Sequence, residues 1–384
     1  MQPGYKGGLN TYISGLLEAF IKIGGPHRFQ IYACKERSYE HLKHYGASEN
    51  VEVVPLRDLD RPGFAMILAA LFTGSPRIYE PVHKWLYNNA AKTMDGLSDI
   101  IYTPTTTLFP FNCKKTTIIS MHDIQHVHSP EFFSRRELRE RKIYFQISAE
   151  RADYIQASSE FIKRDLLNHF KNLREDRIAV IHEGVDVETF SKKREVSYLA
   201  QKYGIPDSFL FFPAQLWPHK NHITVLKALL RLKNEIPIVM TGAAYSAAGQ
   251  IFNFIKEHNM KNVFHLGLVP FEDMPSLYQK ARFLIAAGLY ESSSLPVLEA
   301  AASGLPIIAS RIPSIVEMNK ILKINLFEPL DYEALAGLIQ SLWADEPSVR
   351  EQISFNKKHI EYYSWENVAL KYLQLFELAF NAGK

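Results

Sequence analysis

The chain has 384 residues, a formal net charge of +3, 47% hydrophobic residues and 22% charged ones. That length suits two domains with full cores, and the composition is that of an ordinary soluble globular protein. So small a basic excess excludes a dedicated nucleic-acid binder. Cys34 and Cys113 lack zinc or redox spacing, and read as buried small hydrophobes in a reducing compartment. No segment reaches transmembrane length, and Glu18 and Lys22 interrupt the only stretch resembling a signal sequence, so a cytoplasmic protein is expected. The longest apolar run, Phe64–Phe72, lies among Arg57, Arg61 and Arg77. It reads as a core helix or, alternatively, as a peripheral contact with the inner face of a membrane.

In chain order, PGYKGGLNTYISGLLEAF (3–20) is a glycine-rich loop running into an amphipathic helix, where the Gly7 and Gly8 N–H groups can cradle phosphate. Paired glycines are also common in plain turns. Short β-rich runs then alternate with helical patterns. Expected strands are Phe29–Ala33, Val51–Val54, Ile100–Tyr102, Thr117–Met121, Tyr154–Ala157 and Ile178–Ile181, then Phe209–Phe212, Pro237–Met240, Val263–Leu266, Phe283–Ala286 and Pro306–Ser310. Ile223–Lys233 carries Ile223, Leu226, Leu229 and Leu230 on one helical face. This alternation predicts parallel sheets covered by helices on both faces. The polar run SKKREVS reads as a linker, placing a domain break near His182–Tyr203.

Three strand–loop junctions carry candidate chemistry. After the strand at 117–121, His122 and Asp123 sit at a strand's carboxyl end. His126 and His128 raise the idea of a metal site with Asp123, but the spacing lacks a ligand cluster and no metal is assigned. In FFPAQLWPHKNHITVLKAL (211–229), Lys220 lies just before a helix that Asn221 can cap, as a diphosphate clamp would; a solvent-facing lysine is the plain alternative. In YESSSLPVLEAAASGLPIIAS (290–310), Glu291 and Glu299 stand eight positions apart, one on a loop and one about a turn into a helix opened by Pro296 and closed by Gly304. Backbone N–H groups of residues 293–297 would make an anion site at the helix start, between two carboxylates suited to hydroxyls. A nucleotide-sugar has that layout. Two glutamates at this spacing are otherwise ordinary helix-face residues.

These motifs, namely GG at 7–8, MHD at 121–123, ASSEFIKRDL at 157–166, IHEGVD at 181–186, PAQLWPHKN at 213–221 and ESSSLPVLE at 291–299, resemble in identity and order the retaining glycosyltransferases of family 4, or group 1. SWENVALKYLQLFE (364–377) is similar to that family's closing helix. The resemblance implies an α/β chain of the GT-B fold, with two Rossmann-like, doubly wound parallel-sheet domains facing across a cleft. An acceptor-side domain at 1–188, completed by a crossing helix at 365–384, and a nucleotide-sugar-binding domain at 189–364 are expected. It further implies transfer of a sugar from a nucleoside-diphosphate-sugar to a glycan or lipid-linked acceptor in bacterial surface polysaccharide synthesis, with no tightly bound cofactor and no nucleic-acid partner.

By the same resemblance, Glu299 would bind the ribose and Glu291 the transferred sugar. Lys220, with the Ser293, Ser294 and Leu295 N–H groups, would bind the diphosphate, Gly7 and Gly8 would close over it, and His122 would touch the sugar. Gln215 stands where the family has arginine, removing one cation, and Ser292–Ser294 replace Gly-Phe-Gly, with a tighter limit on φ. Only six residues precede the glycine pair where a strand is expected, which points to a start upstream of Met1 or a truncated chain. Asp58-Leu59-Asp60 imitates a metal-binding D-x-D but is read as chance. The alternatives are a sugar-nucleotide epimerase on the same double fold and a non-catalytic sugar-nucleotide binder.

Overall fold

A computed structural model of the chain describes residues 8–34, 36–56, 76–233 and 235–383. The readings placed on Gly7, on Asp58–Asp60 and on Phe64–Phe72 lie outside those residues. Two compact units divide the chain, one holding Leu9–His182 with residues 368–383, the other Glu183–Asn367, with Gly8 grouped to the latter.

The first unit contains β1 (Phe29–Ala33) and β2 (Val51–Pro55), paired in parallel, and a second parallel sheet in the order β3 (Ile100–Thr103), β4 (Thr116–Met121), β5 (Tyr154–Ala157) and β6 (Ile178–Val180). The helix Arg135–Arg151 that feeds β5 is opened by a reciprocal cap: Ser134 Oγ accepts from Glu137 N–H while the Glu137 carboxylate accepts from Ser134 N–H. The helix Trp365–Ala382 starts among residues of the second unit and ends among those of the first. Its Tyr372 is fully buried and shares hydrogen bonds with Tyr12 of the helix Gly8–Ile23, while Tyr12 also meets Tyr102 of β3 at 2.7 Å and Ser120 of β4 at 3.0 Å. Burying hydroxyls is tolerable only because each finds a partner, and this network fixes where the helix docks.

The second unit is a single six-stranded parallel sheet in the order β9 (Val263–His265), β8 (Ile238–Thr241), β7 (Leu210–Pro213), β10 (Phe283–Ala286), β11 (Ile307–Ser310), β12 (Asn325–Phe327). Strand side chains alternate between faces, so a fully buried strand supplies two cores. Phe211, Val239, Leu284, Ile307 and Ala309 enter one core with Val297, Leu298 and Tyr278. Leu210, Phe212, Ile238, Met240, Phe283, Ile285 and Ile308 enter the other with Val225, Leu229 and Ile339. That is the doubly wound arrangement expected from the alternation of patterns. Its strand order reverses between β7 and β10, and the crevice outside the carboxyl ends at such a reversal is where open α/β sheets take ligands.

The chain passes from one unit to the other at His182–Glu183, and the polar run read as a linker belongs to the second unit. Gln279 ties it down, accepting from Arg194 N–H at 3.0 Å and donating to the Phe190 and Lys192 carbonyls at 3.1 and 2.8 Å.

Candidate functional site

At the reversal between β7 and β10, two loops are stitched together, once by a side-chain amide and once through their main chains. After β7 the chain enters the turn Pro218–Lys220 and then Asn221, held at φ 61°. Asparagine tolerates this left-handed backbone because its short side chain can bond locally. Its amide donates to the Ala287 carbonyl at 3.1 Å and to the Pro329 carbonyl at 2.6 Å, and its oxygen accepts from Thr224 Oγ1 at 2.7 Å. Asn221 therefore does not cap the backbone of the helix His222–Arg231 through its side chain, contrary to the sequence expectation; its oxygen takes the Thr224 hydroxyl and its NH2 binds the loops after β10 and β12. A second stitch runs from Leu289 N–H to the His219 carbonyl at 2.7 Å.

Between these stitches Lys220 and Glu291 meet. Lys220 Nζ donates to both carboxylate oxygens, at 2.7 and 2.9 Å, with the two side chains 24% and 19% exposed. A pair this well covered is screened far less than a surface ion pair. Ser314, buried at the start of the helix Pro313–Met318 after β11, donates to the Glu291 carbonyl at 2.7 Å. Gly288 leaves the room into which the carboxylate folds: a Cβ there would lie 2.5 Å from Glu291 Oε1. Three strand ends thus fix one carboxylate.

The helix Leu295–Ser303 starts four residues after Glu291, with Ser294 at its N-cap and Pro296 in its first turn, and ends at Gly304 in the left-handed region, φ 72°. The expected anion donors narrow here. Pro296 has no N–H and Val297 N–H turns back to the Ser294 carbonyl at 3.0 Å, which leaves the N–H groups of Ser293, Ser294 and Leu295. Ser292–Ser294 keep negative φ, so serine serves without the conformational freedom of glycine. Glu299 lies one turn further along. Its Oε2 accepts from Tyr278 Oη at 2.6 Å, and loss of hydration, partly offset by that bond, raises its carboxyl to about 7.

Gln215 accepts from Trp217 Nε1 at 3.0 Å, and Trp217 stacks on Tyr245 with ring centres 4.0 Å apart. Gly242, at φ 124°, passes so close that a Cβ would lie 2.7 Å from Gln215 N. Burial, with a smaller contribution from the Lys220 charge, pushes His219 down to about 3, so it stands neutral beside the lysine.

In the first unit, His122 follows β4 as expected. A carbonyl can only accept, so Nε2–H donates to Pro104 O at 3.2 Å, and the ring rests edge-on against Tyr12 with centres 4.8 Å apart. The neighbouring histidines part company: His126 is buried against Phe133 and Phe145 and pushed down to about 4 by burial, while His128 bonds Asp165 at 2.7 Å. Among the described residues no group of three His, Cys, Asp or Glu side chains is placed to hold a metal. A cavity of about 340 Å³ in this unit is lined by Arg151, Arg174, Arg177 and Ile178, at the amino ends of β5 and β6, and holds none of the expected site residues. Gly8 is the exposed first residue of its helix. Tyr278, Gly288 and Ser314 were not anticipated; only Gly288, a glycine just past a strand end, carried a readable signal.

Among the described residues no helix is long and apolar enough to cross a membrane. The family model described as Glycosyltransferase Family 4 matches residues 6–189, and that of Glycosyl transferases group 1 matches residues 192–359. O-antigen chain mannosyltransferase B of Escherichia coli is 24% identical over 355 residues, covering 89% of this chain and 92% of that protein. The structure of Anabaena HepE in complex with UDP and glucose superposes with a TM-score of 0.73 over 98% of both chains at 18% identity. WaaG, a glycosyltransferase involved in lipopolysaccharide biosynthesis, superposes at 0.66 over 97% of this chain and 96% of its own, at 13% identity. Nothing in these likenesses favours an epimerase or a non-catalytic binder. With both family domains present in order and spanning nearly its whole length, the chain belongs to the group 1, family 4 glycosyltransferases and has their GT-B fold.

Proposed function

We propose that this glycosyltransferase moves a sugar, with retention of anomeric configuration, from a nucleoside-diphosphate-sugar to a glycan or lipid-linked acceptor of a bacterial surface polysaccharide. The observation that carries the reading is the Lys220–Glu291 pair at the strand-order reversal, beside the free start of a nine-residue helix. Departure of a nucleoside diphosphate develops negative charge on the leaving oxygen. Lys220 and the N–H groups of Ser293, Ser294 and Leu295 are fixed donors for that charge, and fixed donors need no reorganisation as it forms. As the diphosphate takes over Lys220, Glu291 is released to accept from hydroxyls of the transferred sugar. Gln215 offers a neutral amide in place of a second cation. Glu299 serves the ribose hydroxyls, and His122, Gly7 and Gly8 serve the sugar and phosphates from the acceptor-side domain.

The names of two relatives, an O-antigen mannosyltransferase and a lipopolysaccharide glycosyltransferase, support a glycan acceptor. Thermal shifts with UDP-, GDP- and ADP-sugars identify the donor. Transfer to a lipid-linked acceptor, followed by NMR of the new anomeric centre, then tests the reaction. An inverted product, or a stabilising donor from which no sugar is ever transferred or hydrolysed, would overturn this reading.

A further inference from the structure

We infer that Tyr278 is the positioning residue for Glu299, orienting its carboxylate toward the vicinal hydroxyls of a nucleoside ribose and setting the pH range over which the nucleotide binds. This rests on the assignment of Glu299 to the ribose, and adds to it a residue and a regulation.

Tyr278 belongs to the helix Met274–Lys280, which precedes β10, while Glu299 belongs to the helix that follows it. Both helices pack on the same face of the sheet, so side chains 21 positions apart meet over one strand. Tyr278 is fully buried, its ring held edge-on between Phe190 and Phe211, with centres 5.6 and 4.9 Å away. So confined, its hydroxyl has one direction to donate, and Glu299 Oε2 stands there at 2.6 Å. Among the described residues this is the only hydrogen bond Glu299 makes. An ionised carboxylate has about four acceptor sites, and one is spent on Tyr278. The rest suit a vicinal diol, which has two protons to donate.

Among the described residues no cation is paired with Glu299. The elements packed on its helix bring Glu188, Lys280, Glu361, Tyr362 and Tyr363, and the helix Glu346–His359 adds Glu346, Arg350, Glu351, Lys357, Lys358 and His359, none of which bonds to Glu299 among the described residues. Lys280 is engaged with Asp207 at 2.9 Å, and Lys357 lies against Gly304 at the far end of the helix. Among the described residues only Tyr278 acts on the carboxylate, lowering a pKa that burial raises to about 7. The phenol itself is pushed well above its usual range by burial and then by Glu299, so it remains a donor throughout.

The test is calorimetric titration of the full chain with UDP, GDP and ADP between pH 6 and pH 9, in wild type, Tyr278→Phe and Glu299→Gln. Wild-type affinity for whichever nucleotide binds is expected to fall as pH drops through about 7. In Tyr278→Phe the fall moves upward by about one pH unit, so below neutrality it binds about tenfold more weakly, and near pH 9 the two proteins converge. Glu299→Gln flattens the profile. Site-specific 3-fluorotyrosine at 278, a stronger donor of nearly the same shape, moves the fall to lower pH and keeps the test open should Tyr278→Phe not fold. A flat Glu299→Gln profile beside a Tyr278→Phe or fluorotyrosine profile identical to wild type overturns the role of Tyr278 alone. Wild-type affinity in Glu299→Gln at every pH removes Glu299 from the ribose, and the inference with it.

Discussion

In the second unit Lys220 and Glu291 are held by main-chain and buried amide hydrogen bonds running between three strand ends, whereas in the first unit the His122 ring donates to the Pro104 carbonyl and stands edge-on against the ring of Tyr12. The contrast separates chemistry from shape. Where backbone bonds build the frame, truncating a side chain removes a charge and leaves the loop in place. Where a ring props a ring, the support is itself a side chain and goes with it.

The most direct way to break this comparison is Lys220→Ala. Turnover is expected to drop about a hundredfold, on the order of 3 kcal/mol, while the stitches at Asn221 and Leu289 keep the loop folded despite the unpaired Glu291 carboxylate; wild-type turnover contradicts the role. Next is the acid response of His222, which is 2% exposed, stacked on Phe212 at 4.4 Å and pushed down to about 3 by burial. The unfolded chain protonates it near its ordinary 6.5 while the folded chain does not, so its stabilising contribution is complete above about 6.5 and declines as pH falls toward about 3. At pH 5, 1.5 units below the unfolded value, that amounts to about 2 kcal/mol, and His222→Phe should remove it. Denaturant unfolding at pH 8 and pH 5 checks this; equal slopes in both proteins would refute it.

A smaller effect is expected at Gly288. Alanine there pushes the Glu291 carboxylate off Lys220, lowering transfer about tenfold while nucleoside-diphosphate affinity barely moves, as a displaced sugar contact should. Equal losses in both would show a general collapse of the loop. The smallest is Tyr372→Phe, which deletes one buried hydroxyl from the first unit's network and should cost about 1 kcal/mol in unfolding, with transfer unchanged. No loss of stability would mean the network contributes nothing net.

Much of the second unit was legible. Phe29–Ala33, Tyr154–Ala157 and Phe283–Ala286 were read residue for residue, and each of the other eight strands expected lies within one residue of its observed ends, because parallel strands buried on both faces are uninterrupted apolar runs. β12 was missed: three residues beginning with Asn325 make no pattern. At the site, Lys220, Glu291 and Glu299 were readable because each sits at a fixed offset from a strand or helix start. What was not readable depends on meetings between elements. Tyr278 reaches Glu299 only because consecutive helices share a sheet face, and Asn221 binds Ala287 only because β7 and β10 became neighbours. Local pattern reported where a residue stands along the chain; its partner was decided by strand order.

The hydroxyl network around Tyr12 joins a tyrosine near the beginning of the polypeptide to one 360 positions later. During synthesis the first unit therefore waits: Tyr12, Tyr102 and Ser120 leave the ribosome long before the helix that covers them, and Phe20 meets Phe376 only at the end. A fragment ending at His182 would carry all the described strands of that unit and still be an open core, a surface for chaperones rather than a free-standing domain.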